Sequence, residues 1–419
     1  MRRYLADTRP LANRYYRRLW QANIVTVVGA QLTVVAVPAQ IYTLTGSSAY
    51  VGLTGLFGLV PLIVFGLWGG ALADAFDRRA ILRVTTLGLI VTSGLFWAQA
   101  ALGNSDVWVL LGLFAIQQAF FAVNQPTRSS VLPRLLPSDQ LPAANSLNMT
   151  VFQAGAIGGP LLGGILIPIT GYAWLYLIDT VTLLATLWAV LALPPLPVDS
   201  ASAGRAPGLR SVVDGLAYLR GHPVLLASFL VDIVAMVFGM PRALFPQLAH
   251  VEFGGPPGGG LAFALLFAAI PAGAVLGGVF SGWVSLVRRQ GLAVLANIVV
   301  WGLAIAGFGM AAALAGGQAG VWLGVGLALL AIAGAADMAS AAFRTTMLQA
   351  AAADEVRGRL QGIFIVVVAG GPRIADVLHG WGGQELGAAP ATVAGGILVI
   401  VGIAICAVAI PAFTRYRPT

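Results

Sequence analysis

The feature that leaves this chain the fewest options is the recurrence of long apolar runs. Twelve of them, at approximately 19–43, 49–73, 80–102, 106–127, 143–168, 172–193, 223–248, 260–287, 291–315, 319–342, 359–383 and 391–413, each reach the length a helix needs to cross a bilayer, about 20 residues. Charge is scarce: 9% of the 419 residues are charged, 58% are hydrophobic, and mean hydropathy is +0.89. No water-soluble domain of this length carries that balance, so the expected fold class is an all-α integral membrane protein. Every run but 172–193 holds Gly or Pro, which membrane helices tolerate.

All 23 basic residues are arginine, and they lie in small groups between the runs. The formal charge of +8 therefore reads as topology and not as a nucleic-acid patch. Six arginines precede the first run, and Arg78, Arg79 and Arg83 follow the second. Arg128 and Arg134, Arg205, Arg210 and Arg220, Arg288 and Arg289, Arg344, Arg357 and Arg359, and Arg415 and Arg417 follow runs 4, 6, 8, 10 and 12. All of these fall on one side if the runs cross in turn, and only Arg242 and Arg373 stand apart. Arginine excess marks the cytoplasmic side, which predicts a multi-pass protein of the bacterial cytoplasmic membrane with both termini inside. The first run follows arginines as a signal peptide does, but it is long enough to span and reads as a retained helix.

The one long polar interval, 194–222, divides a six-helix bundle at 1–193 from a second at 223–419. Within it Leu209, Val212, Val213, Leu216 and Leu219 recur at helical spacing, with Arg210, Asp214 and Arg220 between them, which predicts a short amphipathic helix on the membrane face. No phosphate-binding Gly-Lys-Ser/Thr loop, zinc-ligand cluster or nucleophile with a nearby base occurs, and Cys406 is the single cysteine. The reading is a protein that is not an enzyme and needs no cofactor or metal.

Between the second and third runs the chain reads Gly-Ala-Leu-Ala-Asp-Ala-Phe-Asp-Arg-Arg-Ala-Ile-Leu from Gly70 to Leu82. Gly70, Asp74, Arg78 and Arg79 fit the Gly-x-x-x-Asp-x-x-x-Arg-Arg turn of the major facilitator superfamily, which the chain resembles. Ala75 stands for the usual basic residue and Asp77 for the usual glycine. Gly70 would permit close helix approach, Asp74 could cap a neighbouring helix, and the arginines would hold the turn at the headgroups. In the fifth run, Gly155, Gly159, Pro160, Gly163 and Gly164 match the Gly-x-x-x-Gly-Pro-x-x-Gly-Gly pattern of exporters in that superfamily. Small residues four apart give a ridge against which another helix can slide, expected here to keep the two halves sealed during exchange, and the proline bends the helix.

Ala36-Val-Pro-Ala-Gln-Ile41, Arg242-Ala-Leu-Phe-Pro246, Thr346-Met-Leu-Gln349 and Arg357-Gly-Arg359 are similar to the enterobactin (siderophore) exporter branch. The two halves echo each other: Arg128-Ser-Ser-Val-Leu and Arg344-Thr-Thr-Met-Leu occupy equivalent places after runs 4 and 10. Such repeats suit an architecture whose halves rock about a midplane site.

Ionisable groups inside spans cost about 2.5 to 3.5 kcal/mol each on insertion scales, so each is a functional candidate. They are Asp179, Asp232, Asp337, Arg373 and Asp376, with Arg242 towards the outer end of run 7. The resemblance implies a cavity lined by helices 1, 4, 7 and 10, which would hold Asp232, Arg242 and Asp337 with Gln31, Gln118 and Asn124. Asp232, Asp337 and Asp376 are the proton-coupling candidates, and Arg373 shares a helix face with Asp376. Asp74 and Arg128 are expected to hold the cytoplasmic gate, while Asp179 reads as a hydrogen-bonding group between helices. The expected function is a proton-coupled antiporter, exporting a siderophore or similar amphipathic small molecule by alternating access as a monomer in the lipid bilayer. Multidrug efflux conferring drug resistance, of macrolides or tetracyclines, is the near alternative. A membrane sensor or passive channel is the alternative of a different class.

Overall fold

The computed structural model describes residues 7–196, 218–219, 221–351 and 354–416, with the side chains of 67–75 and 349–369 outside the description. Twelve long helices follow one another: α1 (Arg14–Thr45), α2 (Ser48–Ala75), α3 (Arg78–Ala101), α4 (Val107–Leu135), α5 (Leu141–Thr170), α6 (Tyr172–Leu191), α7 (Pro223–Gly239), α8 (Leu261–Val279), α9 (Gln290–Ala315), α10 (Val321–Ala351), α11 (Asp354–Leu386) and α12 (Ala388–Ala409). Among the described residues, eleven helices are long and apolar enough to cross a membrane. The predicted linker helix lies outside the described residues.

Backbone contacts divide the chain into two compact units, Met1–Val37 with Val60–Gly208, and Pro38–Leu59 with Leu209–Thr419. The changeovers fall inside α1 and α2 and not between helices. Pro38 and Pro61, each of which deletes a backbone hydrogen bond from its helix, stand at these two places.

In the first unit, α3 packs on α6 and α4. Phe96 stacks on Tyr176 at 5.2 Å between ring centres, and the Thr26 and Thr186 hydroxyls meet at 2.7 Å between α1 and α6. Leu19, Ala22, Leu82, Val131, Ala189 and Val190 close one end of the unit as a buried cluster. Asn13 starts α1 by accepting the Tyr15 and Tyr16 amides, and its own amide group donates to the Leu135 carbonyl at 2.7 Å, fixing α1 against the end of α4.

In the second unit the helices approach through small residues. Gly273 and Gly334 each meet a carbonyl of the opposite helix where α8 crosses α10, and Gly302 lies against the Gly396 carbonyl where α9 crosses α12. In lipid no water is expelled by helix association, so close van der Waals contact carries it, and glycine permits the closest approach. The expected helix over 223–248 instead stops at Gly239. A 3-10 turn (Arg242–Leu244) and a π turn (Leu248–Glu252) follow, with Pro241 and Pro246 in the segment between. The expected span 260–287 likewise ends at Val279 and continues as a 3-10 turn, Ser281–Leu286.

Single glycines join α5 to α6 and α11 to α12. Gly171 (φ 76°, ψ 173°) and Gly387 (φ 91°, ψ 153°) adopt a backbone conformation that is essentially closed to other residues.

Candidate functional site

At the turn between α2 and α3, Asp77 caps α3, its carboxylate accepting the Arg79 amide at 2.8 Å. The residue standing where the superfamily pattern has glycine thus caps the helix that follows it. Gly70 and Asp74 lie outside the described side chains. Arg78 is buried, and Arg79 reaches across to donate to the Leu191 carbonyl at the end of α6, 2.6 Å away. Arg128 donates to the Leu19 carbonyl of α1 at 3.4 Å. Arg79 thereby satisfies the last carbonyl of α6, where a cation also complements the helix dipole, whereas the Leu19 carbonyl that Arg128 reaches lies in the second turn of α1.

The glycines of α5 face α1 of the same unit. A side chain at Gly155 would strike Val27, one at Gly159 would strike Gln31, and Gly163 lies against Leu32 and Leu175. Gln31, a cavity candidate, is therefore positioned by Gly159, and the ridge and the cavity residue form one feature. Asn124 donates to the Thr85 hydroxyl at 2.8 Å and ties α4 to α3, while Gln118 is half-buried on the same helix. Asp179 is buried and accepts from Thr33 at 2.7 Å and Ser93 at 3.0 Å, a junction of α1, α3 and α6 that matches the hydrogen-bonding role expected of it. An apolar crevice of about 670 Å³ runs between α2, α3 and α4 and is bordered by Phe65, Ile81, Ile116 and Phe120.

The second unit holds charge differently. Asp232 of α7 pairs with Arg344 of α10, and the same guanidinium lies 3.6 Å from Asp337, two turns earlier on α10. Side-chain exposure separates the two acids: 4% for Asp232 and 35% for Asp337. A second ion pair joins Arg242, in the 3-10 turn after α7, to Asp376 of α11 at 3.0 Å. Asp376 is buried there although Arg242 is 31% exposed. Beside it, His379 contacts the Phe238 carbonyl at 2.9 Å.

The first half of α2, which belongs to this unit, crosses α11 at the same place. Ser48 donates to the Gly380 carbonyl at 2.9 Å, and a side chain on Gly52 would meet the Asp376 carbonyl at 2.6 Å. Gly58 leaves the space that the Arg373 guanidinium occupies, 3.0 Å from where a Cβ would stand. Arg373 and Asp376 thus share the region of the α2 crossing, but the counter-ion in contact with Asp376 comes from the turn after α7.

Sequence reasoning missed two things here. In the sequence Arg344 reads as a topology arginine, although its seven-residue spacing from Asp337 puts both on one face of α10. The spacing of Gly52, Gly55 and Gly58 was also available, but it is hard to single out among 53 glycines.

The chain matches the family described as transmembrane secretion effector over residues 6–416. It is 29% identical over 393 residues to the enterobactin exporter EntS of Citrobacter koseri, covering 93% of this chain and 90% of that one. It is 27% identical over 412 residues to the EntS protein of Shigella boydii, covering 96% and 94%. Among solved structures it is similar to a POT family transporter in complex with 5-aminolevulinic acid (TM-score 0.76, 13% identity, 96% and 97% covered). It is also similar to a bacterial homologue of the human lysosomal transporter Spinster (TM-score 0.74, 15% identity, 99% and 100% covered). At these identities the structures establish the fold, twelve helices in two pseudo-symmetric bundles. The chain belongs to the transmembrane secretion effectors of the major facilitator superfamily and is a multi-pass membrane exporter of small molecules.

Proposed function

We propose that the protein is a proton-coupled exporter of a siderophore or a similar amphipathic small molecule, working by alternating access in the cytoplasmic membrane. The observation that carries this reading is the similarity to enterobactin exporters over more than nine-tenths of both chains. The side bearing most arginines is the cytoplasmic one, with both termini on it, and the chain works as a monomer. Residues 1–193 and 223–419 are the two bundles, and 194–222 is the cytoplasmic linker.

Asp74, Arg78, Arg79 and Arg128 form the cytoplasmic gate, supported by the bonds of Arg79 to the last carbonyl of α6 and of Arg128 to the Leu19 carbonyl in α1. The α5 glycines hold α1 close enough to fix Gln31, which with Gln118, Asn124, Arg242 and Arg373 contributes to substrate handling. Coupling rests on a carboxylate among Asp232, Asp337 and Asp376, all in the second unit.

The test uses everted membrane vesicles containing the full-length protein, iron-free enterobactin as probe, and an imposed pH difference, acid inside. The expected result is accumulation above the external concentration, abolished by a protonophore. Uptake that only equilibrates removes the proton drive, and no uptake removes the siderophore. Competition by erythromycin or tetracycline in the same assay would favour the drug-efflux reading.

A further inference from the structure

The cluster formed by Asp232, Arg344 and Asp337 has an unbalanced charge. Three features of its surroundings make that imbalance consequential. The first is isolation: α8, α9 and the Ser281–Leu286 turn, which pack against α10, contain no Asp, Glu, His, Lys or Arg. From α7 only Asp232 faces the group, and α10 itself supplies only Asp337 and Arg344. No other described charge is available to offset the second carboxylate.

The second feature is burial. Asp232 and Arg344 are 4% and 7% exposed, and a buried ion pair gains from its neighbour only what it does not lose by leaving water. With two carboxylates and one guanidinium ionised, the cluster carries one uncompensated negative charge in a medium that penalises it strongly. A single bound proton makes it neutral.

The third feature is asymmetry. Asp232 is in direct contact with the guanidinium, whereas Asp337 stands 3.6 Å away, outside hydrogen-bond distance, and is 35% exposed. Among the described residues the Asp232 Oδ2 and Arg344 Nε atoms have no hydrogen-bond partner, and both residues border a cavity of about 10 Å³ with Leu225, Ser228, Phe229 and Leu348. The guanidinium is therefore not locked by a full set of bonds and has a second carboxylate within one short movement.

We infer that this triad is the proton-binding site, with Asp337 carrying the exchangeable proton, Asp232 the fixed counter-ion, and Arg344 the group that shifts between them. On release, the Asp337 O–H bond breaks, the proton passes to a water molecule, and the carboxylate formed draws the guanidinium towards it. The inference rests on the proton-coupled reading above and selects one of its three candidate carboxylates.

The experiment is infrared difference spectroscopy of the purified full-length protein, acid minus alkaline, without substrate. A protonated-carboxyl band should appear in the wild type, vanish in Asp337→Asn and persist in Asp337→Glu. Asp232→Asn leaves one acid facing one guanidinium, so the band at neutral pH should also be lost although Asp337 is intact. A difference spectrum unchanged in Asp337→Asn, or a neutral-pH band unchanged in Asp232→Asn, overturns the assignment. Because no substrate takes part, a lost band together with absent enterobactin accumulation sinks the siderophore reading and leaves the site standing. Proton-driven accumulation with an unchanged band does the reverse.

Discussion

Arg128 and Arg344 occupy the same place in the two halves of the repeat, each beginning an Arg-hydroxyl-hydroxyl-apolar-Leu string, yet they have different neighbours. Arg128 is half-buried and donates to the Leu19 carbonyl of α1. Arg344 is nine-tenths buried and faces Asp232 and Asp337. The acids follow the same division. In the first unit the intramembrane acid Asp179 is held by the Thr33 and Ser93 hydroxyls, whereas in the second unit acids meet guanidinium groups. A duplicated position has thus become a backbone clamp in one half and part of a charge cluster in the other. Hydroxyls and carbonyls hold a fixed geometry without net charge, while a guanidinium shared by two acids can redistribute it.

The largest effect that would break this contrast is on stability. Removing one partner of a buried pair leaves an uncompensated charge and costs about 3 to 5 kcal/mol. Arg344→Gln should therefore sharply lower the melting temperature in detergent, and Asp232→Asn in the same chain should recover part of the loss. Arg128→Gln removes a hydrogen bond to a carbonyl, with an expected cost of about 1 to 3 kcal/mol. Equal losses from the two arginine variants would mean that the repeat has not diverged in role.

Next in size is Gly159→Leu. The added side chain has to displace Gln31 or push α1 away, with an overpacking cost of about 1 to 3 kcal/mol. Accumulation of enterobactin in everted vesicles should fall to background while some folded protein remains in the membrane. Normal export would separate the glycine ridge from substrate handling.

Asp179 gives the third test. Asp179→Asn keeps an oxygen that can accept from Thr33 and Ser93, so folding and proton-driven transport should change little. Asp179→Leu strands the Thr33 hydroxyl and leaves Ser93 only its long contact to the Tyr176 carbonyl as acceptor, which should cost about 1 to 3 kcal/mol, read as a lower melting temperature. If Asp179→Asn alone abolished uphill transport, the first unit would carry coupling too and the contrast between the units would fail.

The smallest effect belongs to the exposed pair at the N-terminus. Hydrogen bonds from Arg9 hold the Asp7 carboxyl below its usual range. A lowered value in the folded state contributes stability above the ordinary carboxylate range and loses it as pH falls through the lowered value. The pair is fully solvated, so Asp7→Asn should leave the melting temperature at neutral pH unchanged.

Much of this architecture was legible in the chain. Span number follows from run length, and the division of arginines between loops gives the expected orientation. Asp179 was recognisable as a helix-to-helix bond because a lone acid in an otherwise uncharged span needs donors, and Thr33 and Ser93 supply them. Other features depend on pairings that periodicity does not encode. Arg344 resembles its loop-end neighbours until α7 brings Asp232 against it. The break after Gly239 is a local failure of the helix at a Gly-Met-Pro sequence that hydropathy passes over. The α2 glycines acquire meaning only when the Asp376 and Gly380 backbone lies on them, a crossing between residues more than 300 positions apart. Asp77 departs from the motif's glycine, and that it caps α3 shows only once the helix start at Arg78 is known.

The single-glycine joints between α5 and α6 and between α11 and α12 have a mechanical consequence. A joint of one residue provides no slack: neither helix can slide along, tilt from or rotate past its neighbour without changing the torsion angles of Gly171 or Gly387. Each pair must therefore travel as one stiff lever, and whatever bends during a transport cycle has to bend within a helix or at a longer connection. During synthesis the same joint forbids leaving one helix of the pair in lipid while the other waits in water, so each hairpin enters the bilayer as a unit.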